Sequence, residues 1–494
     1  MNRSLLAGTR RAVSVAAHAY RDRPAAAGRC AVLAERLDGP LRVALAGRVK
    51  AGKSTLLNAL VGERVAPADV GECTRVVTWY RDGPEPRIML QPRNGPPRAL
   101  PVHRRDRALE IDLGGDALDV ERLVVDWPAP DLQDWTVIDT PGVASLSADV
   151  SARAVQLLDP ASGPDDGADA VIYLMRHVHA ADVDLLKTLR GLRSPFVNAV
   201  AVLSRADEIG SGRTDALPAA AAVADRYRRE PAVRGLCLDV VAVAGLLAET
   251  GRTLEAVEVA AVRTLAALPP SVLDEALRSA DRFRAASSVE LTPERRDRLL
   301  ERLGMFGVRL VVRLVTEGTT DPAELGRELV RRSGLAELQA SVATRLWGRR
   351  DVLVARSVLL GLRRLLRDEP APGTAALAVE VGRLLRGAHE LVELRALAAL
   401  RAGDVALPPE AVGEGLALLG DAGPAVHARL RLPADRPDEE CRARAAQAVH
   451  RFRAWAENPL ADHAAAALCR TVVRTCEGIV ADAGITSGAA RRTR

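Results

Sequence analysis

The chain has 494 residues, roughly two to three times the length of a usual domain, so we expect more than one folding unit. Hydrophobic residues make up 48% of the chain but aromatic residues only 3%, a composition that favours helices packed through Leu, Val and Ala. The net charge of +5 is a small excess for so large a surface, which argues against a nucleic-acid partner but would tolerate an anionic membrane.

The six cysteines never approach a C-x-x-C spacing, so the sequence predicts reduced thiols in a cytosol rather than a zinc site or a disulfide framework. Basic residues interrupt the short apolar run near the N-terminus, so we do not expect a signal peptide. No apolar run approaches the length of about 18 residues that a transmembrane helix needs. We therefore expect a cytoplasmic protein whose membrane contact, if it has any, is peripheral.

We predict that residues 1–38 form one N-terminal segment that joins a helical bundle. The apolar residues over 1–37 have helical spacing, which predicts a single amphipathic helix there. Strand-like apolar runs then alternate with helical patterns, which predicts an α/β domain with a mostly parallel sheet over residues 39–268. The Pro- and Gly-rich segment 81–102 predicts a hairpin that decorates the surface of this domain.

Residues 269–494 carry helix-period leucines and almost no strand pattern, so we predict an extended all-α stalk. The run from Gly334 to Glu369 contains no proline, which predicts one long helix of about 50 Å. Breakers divide the rest of this half into helical hairpins, and they lie at 318–322, 369–373, 406–410 and 432–440.

The segment GRVKAGKS fulfils the pattern G-x-x-x-x-G-K-[ST] between a predicted strand and a predicted helix. In this P-loop motif, backbone N–H groups hold phosphates at the N-terminus of the helix, the lysine contacts the β- and γ-phosphates, and the hydroxyl ligates Mg²⁺. Lysine occurs only at positions 50, 53 and 187 among 69 basic residues, which supports the motif independently. The predicted nucleotide-binding residues here are Gly47, Arg48, Val49, Lys50, Ala51, Gly52, Lys53, Ser54 and Thr55.

The strand WTVIDT leads into a D-x-x-G element at Asp139 and Gly142. We expect Asp139 to hold Mg²⁺ through water and the Gly142 N–H to bond the γ-phosphate. A threonine upstream is needed to complete the Mg²⁺ coordination, and the segment GECTRVVTWY offers Thr74 and Thr78. We favour Thr74 and leave Thr78 as the alternative.

Ser204, Arg205 and Asp207 follow a later strand and are similar to the N/T-K-x-D element that recognises guanine. A carboxylate at position 207 accepts both N–H donors of guanine, and adenine lacks that pair, so the element selects GTP over ATP. Ser204 and Arg205 depart from the usual Asn or Thr and Lys, so specificity rests on Asp207. Ala244 and Gly245 occupy the place of the last element, where a backbone N–H contacts the base.

These motifs, together with stretches such as LGMFGVRL and RRSGLAEL, resemble the dynamin superfamily. The similarity is to the bacterial dynamin-like proteins of actinobacteria, including the mycobacterial isoniazid-inducible GTPases, and it extends over the whole chain. The resemblance implies a GTPase domain with a helical neck and trunk, GTP and GDP as ligands, and Mg²⁺ as cofactor. It also implies nucleotide-dependent self-association, and action on membranes at the inner face of the plasma membrane.

Eukaryotic dynamins carry Gln and Ser where this loop has Val49 and Lys50, so the water-orienting glutamine is absent. Lys50 stands where guanylate-binding proteins place an arginine finger, and we hypothesise that its charge stabilises the transferred phosphoryl group. The predicted catalytic residues are therefore Lys50, Lys53, Thr74 and Gly142. The alternative is a solvated lysine and a scaffold that binds GTP with negligible turnover, as partner of a second dynamin-like subunit.

Two segments are candidates for membrane contact, LGMFGVRLVVRLV and ALPPEAVGEGLALLGDAG, and for each the alternative is packing inside the stalk. A translation or ribosome-assembly GTPase is a third possibility, because the same motifs occur there. The helical half and the absence of a basic stripe with interleaved aromatic residues argue against it.

Overall fold

The structure is a computed structural model that describes residues 3–66, 76–105, 108–115, 119–141, 167–177, 182–184, 186–187, 198–212 and 215–490. An α/β domain built on one large sheet is followed by a chain of helices. The predicted fold class, a mostly parallel α/β domain with an all-α stalk, is therefore confirmed.

Among the residues that the structure describes, nine strands form the main sheet, and β5 and β6 form a separate two-stranded hairpin. The order in the main sheet is 11-10-9-1-8-2-7-3-4, and five of its eight neighbouring pairs run parallel. In chain order the strands are β1 (Leu41–Gly47), β2 (Val77–Asp82), β3 (Arg87–Pro92), β4 (Arg98–Leu100), β5 (His103–Arg105), β6 (Ala108–Glu110), β7 (Val120–Trp127), β8 (Trp135–Asp139), β9 (Ala170–Met175), β10 (Ala199–Ser204) and β11 (Asp239–Val243).

Strands β9 and β10 are buried along their whole length, which explains their continuous apolar sequences. The helices of this part of the chain are α3 (Lys53–Val61), α4 (Ala216–Arg229), α5 (Pro231–Arg234), α6 (Gly245–Thr253) and α7 (Ala256–Ala266), and they are preceded by α1 (Arg3–Ala19) and α2 (Pro24–Asp38). Among them, α3 follows β1 directly and packs on β1 and β8, and α4 packs on β11.

The prediction of a single N-terminal helix is wrong, because α1 and α2 are separate helices. Pro24 occupies the first turn of α2, where a missing N–H costs nothing, whereas inside a continuous helix it would remove a hydrogen bond. The side chain of Tyr20 is fully buried at the break, and its hydroxyl donates to the Glu369 carbonyl at 2.6 Å. The turn therefore anchors α1 and α2 to the stalk.

The hairpin predicted over 81–102 exists as β3 and β4, but it is not a surface decoration. β3 pairs with β7 over its whole length, and its Ile88 and Leu90 side chains are buried. The prediction failed because the Pro and Gly residues on both sides of β3 obscured its strand pattern, in which buried residues alternate with less buried ones. The segment therefore extends the main sheet at one edge.

Five helices that follow the α/β domain pack against it: α8 (Pro270–Ala276), α9 (Ala280–Ala285), α10 (Pro293–Thr316), α11 (Pro322–Arg332) and α12 (Leu335–Arg345). Leu247 from α6 shares one apolar core with Phe283 and Leu303 from this group. Each such side chain contributes about 1.5–3 kcal/mol when it leaves water. Thr292 caps α10 by accepting the Arg295 N–H, and Pro293 begins it.

The remaining helices form two bundles, the first from α1, α2, α13 and α14, the second from α15 to α19 around Phe452 and Cys469. Their bounds are α13 (Arg350–Asp368), α14 (Thr374–Gly387), α15 (His389–Ala402), α16 (Pro409–Leu418), α17 (Val426–Leu430), α18 (Asp438–Ala456) and α19 (His463–Ala490). The four predicted breakers all separate helices: α10 from α11, α13 from α14, α15 from α16, and α17 from α18.

The single helix predicted from Gly334 to Glu369 is wrong, because α12 and α13 are separated by a short 3₁₀ turn at Trp347–Arg349. The two parts pack on different surfaces: α12 on β11 and α13 on α1 and α2. A Cβ added to Gly334 would lie 2.1 Å from the Ala242 carbonyl oxygen, so α12 begins in direct contact with the sheet. Tertiary packing decides this break, and the local sequence marks it only by Gly348, which lies inside the turn.

Neither candidate membrane segment presents a free apolar face. In α10, Val308, Val311 and Leu314 are buried, and Arg309 donates to the Leu277 carbonyl at 2.9 Å. The second segment contributes Leu418 to the core of the second bundle. Within the described ranges, no helix combines the length and apolar character needed to cross a membrane.

Candidate functional site

The P-loop connects the end of β1 to the start of α3, at the centre of the sheet. A Cβ at Gly47 would lie 2.5 Å from the Leu174 carbonyl oxygen, so only glycine allows this close approach to β9. Gly52 has φ 92° and Lys50 has φ 62°, both in the left-handed region. The backbone therefore turns sharply and begins α3 at Lys53, with N–H groups available to an anion.

Lys53 and Asp139 form the phosphate end of the site. The Lys53 ammonium donates to the carbonyls of Gly47 and Arg48 at 3.4 Å each, which are weak contacts. Burial lowers the pKa of Lys53, and the neighbouring Asp139 charge partly opposes that shift. Burial likewise raises the pKa of Asp139 to about 6 despite the attraction of Lys53 and a hydrogen bond from Thr140.

The Asp139 carboxylate also tests whether Mg²⁺ fits the site. Its Oδ1 is buried and has no hydrogen-bond partner among the described residues, so one carboxylate oxygen is left unsatisfied. Ser54 lies in the first turn of α3, next to Lys53. A carboxylate and a hydroxyl are hard oxygen ligands of the kind that Mg²⁺ prefers. The residues present therefore fit the predicted ion.

Thr74 and Gly142 lie outside the described residues. Thr78, the alternative to Thr74, lies in β2 directly opposite Asp139, and its side chain is buried and donates to the Val76 carbonyl at 3.4 Å. Thr78 is thus a strand residue rather than part of a loop.

The base end of the site is built from the loop after β10. The Ser204 hydroxyl donates to the Met175 carbonyl at 3.2 Å, which fixes the end of β10 to β9. Arg205, with φ 55°, donates from Nη2 to the Lys50 carbonyl at 3.2 Å and from Nη1 to Glu208 at 2.6 Å. The Asp207 side chain is buried, and burial raises its pKa.

One cavity extends from the P-loop to the base end of the site. Its lining includes Gly52 and Thr55 from the P-loop and α3, and Asp207 and Gly245 from the base end. Ala244 is fully buried, and its N–H donates to the Ser333 carbonyl at 2.8 Å. The N–H predicted to contact the base at Ala244 is thus used within the protein, and Gly245 is the residue of this pair that lines the cavity.

A second cavity lies on the other side of the P-loop. Arg48, Val49 and Ala51 line it together with Arg176 and Asp182. Arg176 donates to Glu208 at 2.6 Å, so Glu208 lies between two arginines, one from each side of the loop.

Sequence reasoning missed three residues of the site: Leu246, Glu208 and Gly304. Leu246 lines the cavity beside Gly245, and Glu208 holds the fork of Arg205. Gly304 lies in α10, where a Cβ would be 3.8 Å from Oδ2 of Asp207. An isolated glycine inside a helical pattern was the available signal for Gly304.

The site and the sheet define a P-loop nucleotide-binding domain of the GTPase type. Residues 43–188 match the dynamin family, and the chain belongs to that family. It is 41% identical over 478 residues to isoniazid-induced protein IniC of Mycobacterium tuberculosis, an alignment that covers 94% of this chain and 96% of that protein.

A shorter similarity exists to the bacterial dynamin-like protein of Nostoc punctiforme, at 32% identity over 150 residues, which is 28% of this chain and 20% of that protein. Among solved structures, an oligomerised bacterial dynamin pair matches with a TM-score of 0.34 and 12% identity, over 98% of this chain and 76% of that one. The resemblance in shape is loose, so the family assignment rests on the sequence relatives.

Proposed function

We propose that this protein binds GTP at the site and hydrolyses it to GDP and phosphate. The observation that carries the proposal is that one cavity has the P-loop at one end and Asp207 at the other. A helix N-terminus with a lysine suits a triphosphate, and a buried carboxylate suits the paired N–H donors of guanine. One ligand, GTP, has both groups.

Asp207 provides the selection for guanine. Burial raises the pKa of Asp207, and two N–H donors from guanine would stabilise its carboxylate form. Adenine offers no such pair, so it would leave a buried acceptor unsatisfied. The penalty for an unsatisfied buried group is about 1–3 kcal/mol or more, which is enough to discriminate.

Lys53 would exchange its two weak carbonyl contacts for phosphate oxygens, which supply a counter-charge. Ser54 and Asp139 would hold Mg²⁺, Asp139 through water, with Thr74 completing the set. The ion would neutralise charge on the β- and γ-phosphates. Gly142 would donate its N–H to the γ-phosphate.

We further propose that hydrolysis is coupled to assembly and to membranes. Membership of the dynamin family supports self-association through the GTPase domains, and it also supports a second dynamin-like subunit as partner. The small positive charge is compatible with peripheral binding to an anionic membrane at the cytoplasmic face.

A second candidate function is GTP binding with negligible hydrolysis. Val49 stands where eukaryotic dynamins have the water-orienting glutamine, and its half-exposed side chain offers no hydrogen-bonding group to a water. This observation favours a nucleotide-gated scaffold that assembles with a partner subunit.

The selectivity of Asp207→Asn tests the proposed binding mode. We expect GTP affinity to fall by about 100-fold or more, because two charge-assisted hydrogen bonds are lost. Xanthosine triphosphate should gain affinity, because its 2-oxo group accepts from the new amide. The matched control is Glu208→Gln, which should keep the preference for guanine. Equal affinity of the wild-type protein for GTP and ATP would contradict the proposal.

A further inference from the structure

Helix α10 is broken inside its length at Gly304, which has φ 64° and ψ 174°. This region of backbone space is essentially restricted to glycine. The break frees the Arg302 carbonyl from its usual partner four residues on, and the Thr250 hydroxyl from α6 donates to it instead. The kink is thus held by a specific contact from the helix that follows β11.

The kink lies directly behind the base end of the cavity. A Cβ built on Gly304 would be 3.5 Å from the Leu246 side chain and 3.8 Å from Oδ2 of Asp207. Leu246 and Asp207 both line the cavity. The backbone of α10 at its kink is therefore packed against two of the residues that would surround guanine.

The part of α10 that follows the kink also braces the Asp207 loop. Asp207 belongs to a 3₁₀ segment, Ala206–Ser211, which ends at Gly212. Arg309 donates from Nη1 to the Gly212 carbonyl at 3.0 Å, and the buried Phe306 packs in the same core as Ala206. The loop thus rests on α10 at both ends: Gly304 at Asp207 and Arg309 at Gly212.

We propose that Gly304 is a positioning residue for base recognition, which holds Asp207 and Leu246 in the geometry that selects guanine. The inference rests on the proposed GTP site. Any other residue at 304 would return toward helical backbone angles and straighten α10. Straightening would move the segment 304–309 relative to Thr250 and withdraw support from the Asp207 loop.

The test compares GTP with inosine triphosphate, which lacks the exocyclic amino group of guanine and so forms only one of the two bonds to Asp207. The wild-type protein should prefer GTP by roughly 10- to 100-fold, the weight of one charge-assisted hydrogen bond. In Gly304→Ala this ratio should fall to about threefold or less. Binding of the triphosphate itself should survive, because the P-loop is unchanged.

The matched control is Gly318→Ala, just beyond the end of α10. Gly318 also has a positive φ, 108°, but no atom lies within 4 Å of its added Cβ, so an alanine there meets backbone strain without new contacts near the base. In Gly318→Ala the ratio of the affinities for GTP and inosine triphosphate should therefore equal that of the wild-type protein. Arg309→Gln is a second variant that spares the kink, and its ratio should fall by about twofold to fivefold.

Three results would be informative in different ways. If Gly304→Ala lowers the affinities for GTP and inosine triphosphate by the same factor, the residue is merely structural and the inference is wrong. If Gly304→Ala does not fold, an unchanged ratio in Arg309→Gln overturns the inference. If the wild-type protein binds no GTP, the proposed function has failed, which is a distinct result.

Discussion

Arg205 and Lys50 are joined by a hydrogen bond from the guanidinium to the main-chain carbonyl, at 3.2 Å. The bond ties the loop proposed to bind the base to the loop proposed to bind phosphates. The other arm of the same guanidinium donates to Glu208 at 2.6 Å, so one side chain serves two loops. This geometry gives a physical reason for Arg at a position where related GTPases have Lys, because an ammonium lacks the rigid fork of donors.

Replacing Arg205 with Lys should therefore weaken GTP binding rather than improve it. We expect KM to rise about threefold to tenfold, the effect of one lost hydrogen bond, with little change in kcat. Steady-state phosphate release at several GTP concentrations measures both constants. Arg331→Lys, in an exposed pair with Glu328, is the control and should leave KM unchanged. If Arg205→Lys has the same KM as the wild-type protein, the hydrogen bonds of the Arg205 guanidinium are not needed to keep the two loops in place.

Lys50 is the proposed counter-charge for the transferred phosphoryl group. Its side chain is exposed, and its ammonium has no ion pair within the described part of the chain, so it is available to a ligand. We expect Lys50→Ala to bind GTP normally and to lose up to about 10³-fold in kcat. Single-turnover hydrolysis with saturating protein separates binding from chemistry. Hydrolysis at the wild-type rate would show that Lys50 is only a solvated lysine.

Arg36 in α2 and Asp169, the residue before β9, form a buried ion pair, with side chains 4% and 0% exposed. Asp169 also accepts the Arg42 N–H at 2.8 Å, so the pair joins α2 to two strands of the sheet. Asp169→Asn leaves Arg36 buried without an anion and should cost about 3–5 kcal/mol in the free energy of unfolding.

Chemical denaturation measures this cost, with Asp38→Asn as the control. Asp38 pairs with Arg10 at the surface, where both side chains are about half exposed or more, so its loss should have little effect. Similar destabilisation by the two substitutions would show that burial of the Arg36 pair does not matter.

The buried carboxylate of Glu393 in α15 should make the stability of the second helical bundle depend on pH. Burial alone would raise its pKa, but hydrogen bonds from His389, Arg429 and Thr475 outweigh that effect and lower the pKa to about 2. A carboxyl group with a lowered folded pKa stabilises the protein above its unfolded value of about 4.3, and that stability is lost as the pH falls toward 2. The shift corresponds to about 3 kcal/mol.

Urea unfolding of Glu393→Gln against the wild-type protein tests this. The difference in the free energy of unfolding between the two proteins should have its full value at pH 6 to 7 and should decrease as the pH falls below about 4.5. Glu380→Gln removes an exposed pair with Arg383 and should behave like the wild-type protein. A difference that is the same at pH 3 and pH 7 would rule out titration of Glu393 as its source.

Local signals in the sequence were enough to predict the P-loop and the base loop. The pattern around Lys53 and the strand before Asp139 depend on short-range geometry, and in the structure these two groups are close enough for each to shift the pKa of the other. Gly52 of the P-loop and Asp207 of the base loop line one cavity. The helix breakers worked for the same reason, because Pro and Gly act on their own neighbours.

What the sequence could not predict depends on distant packing. The break at Trp347–Arg349 arises because α12 and α13 pack on different surfaces, and the N–H of Ala244 is used by Ser333 from far along the chain. Gly304 is near Asp207 only because α10 folds back onto the α/β domain. No local pattern encodes these contacts.

The central claim, an assembling GTPase, is tested most directly by the rate of phosphate release from GTP per molecule at increasing protein concentration. The assay is run with and without anionic liposomes, and Lys53→Ala serves as the blank, because it removes the ammonium proposed to contact the phosphates. We predict turnover above the blank that rises with protein concentration or with liposomes. Flat turnover at the level of the blank, despite tight GTP binding, would contradict the claim and favour the scaffold.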